Sequence, residues 1–221
     1  MNELIKSILN ETPDKPDWSS TTSLQMKQDI IDWCGEKFKD KNALEIGSHV
    51  GHTTRMLGLL FNKVYTINVN PPKGLFRVLD ETIQGSHYKL DRVDIKNEQN
   101  HNFNNVYHIT QDAYHPEGWA PEIQDIEVVF IDCIHGYHQV VEDIERSIEI
   151  GAKYLIFDDY GLDSKTMGFS FDESVKKAVD DYIDLGIIKL EQYIGWEKGT
   201  WSIGGVDKKL YDREGLICSV V

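Results

Sequence analysis

Three carboxylates stand directly after two apolar runs of this 221-residue chain. Asp132 follows the run VVFI, and Asp158 and Asp159 follow the run YLIF. Strands that are joined by one helix are usually neighbours, about 4.8 Å apart, so the sequence predicts that the three carboxylates meet at one edge of a sheet. Charges this close need a proton or a cation, and oxygen ligands suit Mg2+, with Mn2+ or Ca2+ as substitutes. The alternative, strongest for Asp159, is an aspartate that caps the next helix.

Two glycines mark a second feature, the segment EIGSHVGHTT. Gly47 permits a sharp turn with a ligand close to the backbone, and Gly51 lets the following helix pack tightly. The first amides of that helix are suited to bind a polar or anionic group. The spacing is not GxGxxG because position 49 is histidine, which disfavours a nicotinamide-dependent oxidoreductase. A plain tight turn is the alternative interpretation.

Helical and apolar patterns alternate along the chain and must position these groups. The patterns predict strands at 43–46, 64–67, 106–109, 126–131, 154–157, 187–193 and 200–203. They predict helices at 1–10, 24–38, 53–61, 75–83, 137–148 and 175–183. Capping boxes are expected at Thr22 with Gln25 and at Ser170 with Glu173. The polar residues 85–105 are expected to form an exposed excursion.

The alternation predicts an α/β fold. We expect a Rossmann-like, doubly wound, mostly parallel seven-stranded sheet with helices on both faces. The last two predicted strands are joined by a tight connection at 195–199, so the final strand is expected to be antiparallel. One domain is expected over 1–221, with a helical cap at 1–41, a core at 42–203 and a C-terminal extension at 204–221.

Composition narrows the function classes. Lys and Arg number 23 against 37 Asp and Glu, which gives a formal net charge of -14. A field of this sign repels phosphate backbones and anionic lipid surfaces, so nucleic-acid and membrane partners are not expected. The three scattered cysteines suggest a reducing compartment, and the N-terminus has no secretory signal pattern, so a cytoplasmic protein is expected.

The run LEIGSHVGHTT resembles the first motif of class I methyltransferases that use S-adenosylmethionine. The resemblance implies that this loop wraps the methionine portion of the cofactor, with Glu45 near its amino group. At the end of the second strand the family carries an acidic residue that binds the ribose, and this chain has Asn68. The sequence QDA resembles the family's Gly-Asp-Ala and implies contact with the adenine. The implied cofactor residues are Glu45, Gly47, Ser48, Gly51, Thr53, Asn68, Asp112 and Ala113.

The segments FIDCIHGY and FDDYG resemble the metal-dependent O-methyltransferase branch of that class, which includes catechol and macrolide-sugar enzymes. By position, this resemblance implies that Asp132, Asp158 and Asp159 are metal ligands. It also places His135 where the branch has a basic residue. An imidazole with a reference pKa near 6.5 can take the proton of an acceptor hydroxyl at neutral pH. The alternative is that His135 caps the following helix.

These features favour a metal-assisted O-methyltransferase that acts on a small-molecule hydroxyl, sugar-like or catechol-like, with His135 and Asp132 catalytic. The alternative is a non-catalytic binding or assembly protein that keeps the methyltransferase fold. Two observations motivate it, namely Asn68 in place of an acid and the apolar terminal run LICSVV, interpreted as an exposed strand able to pair with another chain. The same run allows a homo-oligomer.

Overall fold

The computed structural model describes residues 22–95, 104–162, 174–203 and 206–221. Four helices are described, at α1 (Leu24–Cys34), α2 (His52–Leu60), α3 (Tyr137–Glu149) and α4 (Ser174–Asp184). Eleven strands are described, at β1 (Asn42–Ile46), β2 (Lys63–Asn68), β3 (Phe76–Gln84), β4 (Lys89–Ile95), β5 (Val106–Thr110), β6 (Ile126–Ile131), β7 (Tyr154–Phe157), β8 (Ile188–Ile194), β9 (Gly199–Ile203), β10 (Val206–Leu210) and β11 (Gly215–Val220). None of the described helices has the length and apolar character needed to cross a bilayer.

Nine strands form one sheet in the order β3-β4-β5-β2-β1-β6-β7-β11-β8. The five strands β5, β2, β1, β6 and β7 run parallel, and β11 lies antiparallel between β7 and β8. The predicted α/β, mostly parallel architecture is therefore confirmed. The sheet is wider than the seven strands expected, because the hairpin of β3 and β4 extends it beyond β5.

Apolar side chains on the two faces of the sheet form two separate buried clusters. One packs β1, β6 and β7 against α3 and α4, and includes Val129, Ile144 and Val179, which are fully buried. The other packs α1 and α2 on the opposite face, and includes Met26, Leu57 and Phe130. Helices therefore cover both faces, as a parallel sheet requires to bury its apolar strands.

Residues 75–83 form a strand rather than the predicted helix. β3 pairs antiparallel with β4, and after Phe76 its residues are exposed, so neither face imposes a burial period that the sequence would reveal. Residues 89–95 are likewise not an exposed excursion, because β4 lies inside the sheet. Its buried carboxylates are paired, Asp91 with Lys89 at 3.0 Å and Asp94 with Arg77 on β3. The rest of that predicted excursion includes residues 96–103, which lie outside the described residues.

The C-terminal half contains two further differences. β9 does not pair with β8 as predicted; it forms a two-stranded sheet with β10. The antiparallel partner of β8 is β11, whose Leu216, Ile217 and Cys218 are fully buried. The run LICSVV is thus an internal strand with neighbours on both sides, not an exposed edge.

The N-terminal cap of α1 is Ser23 rather than Thr22. The Ser23 side chain accepts a hydrogen bond from the amide of Met26 and so satisfies one of the free donors at the helix start. The hydroxyl of Thr22 makes contacts elsewhere. The predicted helix at 1–10 and the capping box at Ser170 with Glu173 lie outside the described residues.

Candidate functional site

The carboxyl ends of the parallel strands are level with one another at one edge of the sheet. Backbone hydrogen bonds continue one residue beyond the strands: the amide of Gly47 donates to Ile67, that of Asp132 to Ile46 and that of Asp158 to Ile131. β1 lies between β2 and β6, so the order of the parallel strands reverses at β1: β2 and β5 follow on one side, and β6 and β7 on the other. In open α/β sheets this point is where ligands bind.

Gly47 makes the turn that leads out of β1. Its φ of 93° lies in the left-handed region, and a Cβ there would stand 2.0 Å from the carbonyl oxygen of Asp132. Only glycine fits this close approach of two loops. The turn ends at Gly51, which caps α2 without a side-chain hydrogen bond to the first turn of the helix.

Glu45 lies beneath this turn and is fully buried. Its Oε2 atom accepts hydrogen bonds from the hydroxyls of Thr54 and Thr66, while Oε1 is buried and has no hydrogen-bond partner within the described part of the chain. Burial raises the pKa of Glu45 to about 8, against the lowering effect of the two threonines. Glu45 is therefore mostly protonated at neutral pH, and its side chain links β1 to α2 and to β2.

The ends of β2 and β5 place the other predicted cofactor residues along the same edge. Asn68 is half-buried and donates a hydrogen bond from Nδ2 to the Oγ of Ser48 at 3.2 Å, so these two predicted residues are in direct contact. Asp112 is exposed, and its Oδ1 accepts a hydrogen bond from the amide of Tyr114. Ala113 is buried. The Asp112 contact is the turn bond expected of a loop aspartate.

Asp132, His135 and Asp159 come together at the ends of β6 and β7. Each offers one ligand atom, and these atoms all lie within 4.8 Å of one another. The imidazole lies between the carboxylates, with Nε2 3.6 Å from Asp132 Oδ1 and Nδ1 3.5 Å from Asp159 Oδ2. Asp159 adopts a φ of 54°, a conformation that aspartate tolerates better than most residues.

The charges of this cluster set the pKa of His135. Burial alone lowers that pKa, but the carboxylates of Asp159, Asp132 and Asp158 outweigh burial and raise it to about 9. At neutral pH the imidazole is therefore protonated and pairs with both neighbouring aspartates. The predicted general base is in place, yet in this electrostatic environment it already holds its proton.

Asp158 is not part of that cluster of ligand atoms. Its Oδ1 accepts a hydrogen bond from the amide of Asp159, and its Oδ2 accepts one from the hydroxyl of Thr22 at 3.0 Å. The Thr22 oxygen also lies 3.1 Å from the hydroxyl oxygen of Thr53, in the first turn of α2. Because the single Thr22 proton goes to Asp158, Thr53 is the donor in the second bond.

Thr22 is a site residue that sequence reasoning missed. It links the segment before α1 to the glycine turn and to the end of β7. Next to it, Ser23 is held by Glu214, whose Oε1 accepts from the Ser23 amide at 2.8 Å. The nearest sequence signal is the serine-threonine pattern of a helix start, which does not point to a partner 136 positions away.

A cavity of about 730 Å³ lies between residues 116–123 and α3. Its lining contains none of the predicted cofactor or metal residues. The residues predicted from the sequence lie instead at the carboxyl edge, at the turn after β1 and the ends of the parallel strands.

No protein-family model matches the chain, and a search of curated proteins gives no match. Several solved structures are similar in fold. The O-methyltransferase TomG from Streptomyces achromogenes, solved with S-adenosylmethionine, is 12% identical over 100% of this chain and 90% of its own, with a TM-score of 0.52. An O-methyltransferase from Bacillus cereus, solved with S-adenosylhomocysteine, is 12% identical over 100% and 91%, with a TM-score of 0.50.

A third similar structure is the precorrin 8W decarboxylase of Methanobacterium thermoautotrophicum. It is 17% identical over 96% of this chain and 98% of its own, with a TM-score of 0.53. At these identities the similarity establishes the fold: the chain has the Rossmann-like fold found in class I S-adenosylmethionine-dependent methyltransferases.

Proposed function

We propose that this protein is an S-adenosylmethionine-dependent O-methyltransferase that uses a divalent cation to methylate a hydroxyl of a small molecule. The observation that carries the proposal is the cluster of Asp132, His135 and Asp159, which lies at the same sheet edge as the Gly47 turn. Two solved structures with this fold hold the methyl donor or its product.

The donor is proposed to bind along the ends of β1, β2 and β5. The N-terminus of α2, which has no side-chain cap, suits its carboxylate, Asn68 offers an amide to the ribose, and the exposed Asp112 can accept from the adenine amine. The hydrogen bond between Asn68 and Ser48 would connect the residue proposed to bind the ribose with the loop proposed to bind the methionine portion of the donor. The predicted set of Glu45, Gly47, Ser48, Gly51, Thr53, Asn68, Asp112 and Ala113 remains our proposal, with buried Glu45 supporting the loop.

The donor set fits a divalent cation. Asp132 and Asp159 offer carboxylate oxygens, and a divalent charge there would compensate the repulsion that His135 compensates in this structure. When bound, Mg2+ or Mn2+ lowers the pKa of an acceptor hydroxyl and orients it. Asp158 keeps the Asp159 backbone in position through its hydrogen bond to the Asp159 amide.

His135 has two states with different roles. Paired with uncompensated carboxylates it holds a proton, since its pKa is raised to about 9. A cation that compensates those carboxylates would remove the cause of the rise and leave the effect of burial, which lowers the pKa of the imidazole. Neutral His135 then accepts the proton of the acceptor hydroxyl as the methyl group is transferred.

Two substitutions at matched backbone positions test the metal role. Asp159 and Asp125 both have positive φ, 54° and 55°, so Asn is tolerated equally at both, and only Asp159 belongs to the cluster. We expect Asp159→Asn to lower methyl transfer at least about 100-fold while S-adenosylhomocysteine still binds in calorimetry, and Asp125→Asn to leave both unchanged. Full activity of Asp159→Asn, or full activity in excess chelator, would contradict the metal role.

The non-catalytic alternative is not favoured. The terminal run that motivated an assembly role is an internal strand of the sheet with neighbours on both sides. A small-molecule acceptor rather than a nucleic acid is inferred from the net charge of -14, and a homo-oligomer and a cytoplasmic location stay predictions. The sugar-like or catechol-like character of the acceptor rests on the resemblance of FIDCIHGY and FDDYG alone.

A further inference from the structure

Two histidines and a glutamate meet at a second place on the sheet edge. His87 lies in the turn between β3 and β4, and His115 and Glu117 lie in the segment that follows β5. β4 begins beside the end of β5, with Lys89 paired to Thr110, so the two segments stand next to each other. One ligand atom from each of the three residues lies within 4.8 Å of the others.

The three side chains of this group lie in close contact with one another. The imidazole rings of His87 and His115 stack with centroids 4.4 Å apart and planes 6° apart. The Nδ1 atom of His87 is 3.0 Å from Glu117 Oε2. The Nδ1 atom of His115 accepts a hydrogen bond from the Glu117 amide, so Nε2 is the ring nitrogen that a ligand would use.

One buried nitrogen of this group has no hydrogen-bond partner among the described residues. The His87 side chain is 12% exposed, and its Nε2 is buried without a hydrogen-bond partner among the described residues. A buried imidazole nitrogen that lacks a partner is costly unless it gains a ligand. Two imidazoles and one carboxylate are a typical donor set for Zn2+, with a fourth position left for water.

We propose that His87, His115 and Glu117 form a binding site for a divalent transition metal, Zn2+ in particular. His87 and His115 lie before β4 and after β5, whereas His135 follows β6, on the other side of β2 and β1 in the sheet. The site is thus separate from the proposed catalytic cluster and does not depend on it. Bound metal would join the β3–β4 turn to the segment that carries Asp112 and Ala113.

The test is a Zn2+ titration against a chromophoric chelator, with any purification tag removed. The host protein carries Asp132→Asn and Asp159→Asn, which removes the carboxylates of the other cluster. We expect one Zn2+ per chain, and we expect His115→Ala and His87→Ala each to weaken binding at least about tenfold. His138→Ala is the matched control, because His138 is exposed on α3 and belongs to neither cluster.

A second variant keeps the test clear of folding defects. Glu117 has a side chain that is 64% exposed, so Glu117→Gln removes a ligand charge without opening the core. It should also weaken Zn2+ binding and reduce the Zn2+-induced rise in the unfolding temperature. Unchanged affinity in Glu117→Gln and His115→Ala, or an equal loss in His138→Ala, would overturn the proposal, as would failure of the host protein to bind Zn2+.

Discussion

Glu45 makes the stability of this protein depend on pH in a direction opposite to that of most surface carboxylates. It is fully buried, and burial raises its pKa from 4.5 to about 8. The folded state therefore keeps this proton while the unfolded state loses it. As pH rises from about 4.5 to about 8, the unfolded chain binds fewer protons than the folded one, so the free energy of unfolding falls.

Glu45→Gln removes this effect with little change of shape. The amide oxygen can still accept the hydroxyl hydrogen bonds of Thr54 and Thr66, but the side chain has no proton to lose. Each pH unit within the window is worth about 1.4 kcal/mol per group. Between pH 5 and pH 8 we therefore expect the variant to gain roughly 3 kcal/mol of stability relative to the wild type.

Urea unfolding at half-unit steps of pH, without cofactor or metal, measures this difference. Glu81→Gln is the control, because it removes one negative charge from an exposed position on β3. Its profile should stay parallel to that of the wild type. If the profile of Glu45→Gln is also parallel, or if its relative stability falls with rising pH, then Glu45 is ionised in the folded protein and the electrostatic reasoning is wrong.

Three further substitutions test the architecture of the edge. Gly47→Ala adds a Cβ 2.0 Å from a backbone oxygen, so it should destabilise the fold by about 3 kcal/mol or more, while Gly186→Ala, with φ 67° and open space, should cost only about 1 kcal/mol in thermal unfolding. Equal costs would contradict the close approach. Thr22→Val removes the hydrogen bonds to Asp158 and Thr53 and should cost about 1–3 kcal/mol in urea unfolding, whereas an unchanged midpoint would count against the link. Asp143→Asn replaces a buried carboxyl whose pKa is raised by burial to about 8, so stability of this variant relative to wild type should rise between pH 5 and pH 8, and a flat difference would contradict that shift.

The parallel core was predictable because its strands and helices carry local signals. The run YLIF predicts the bounds of β7, and the stripe that includes Val140 and Ile144 predicts α3. The hairpin of β3 and β4 was not predictable in this way. Its buried Asp91 pairs with Lys89 on the same strand and its buried Asp94 with Arg77 on the neighbouring strand. These charges make the segment resemble an exposed polar stretch.

The sequence predicts which residues follow the ends of the strands, but it does not predict the directions in which their side chains point. Asp132 and His135 are three residues apart, and their proximity follows from that spacing. Sequence spacing does not show whether Asp158 or Asp159 joins them, because adjacent residues point to different sides of the chain. The structure brings Asp159 to His135 through a positive φ, and it directs Asp158 to Thr22, a partner far away in sequence.

A crystal soaked with S-adenosylhomocysteine and Mn2+ tests the account most directly, since anomalous scattering locates the metal. We expect the cofactor product along the ends of β1, β2 and β5, and an anomalous peak bonded to Asp132 and Asp159 beside it. A map with the product bound elsewhere, or with Mn2+ absent from that pair of carboxylates, would contradict the proposal.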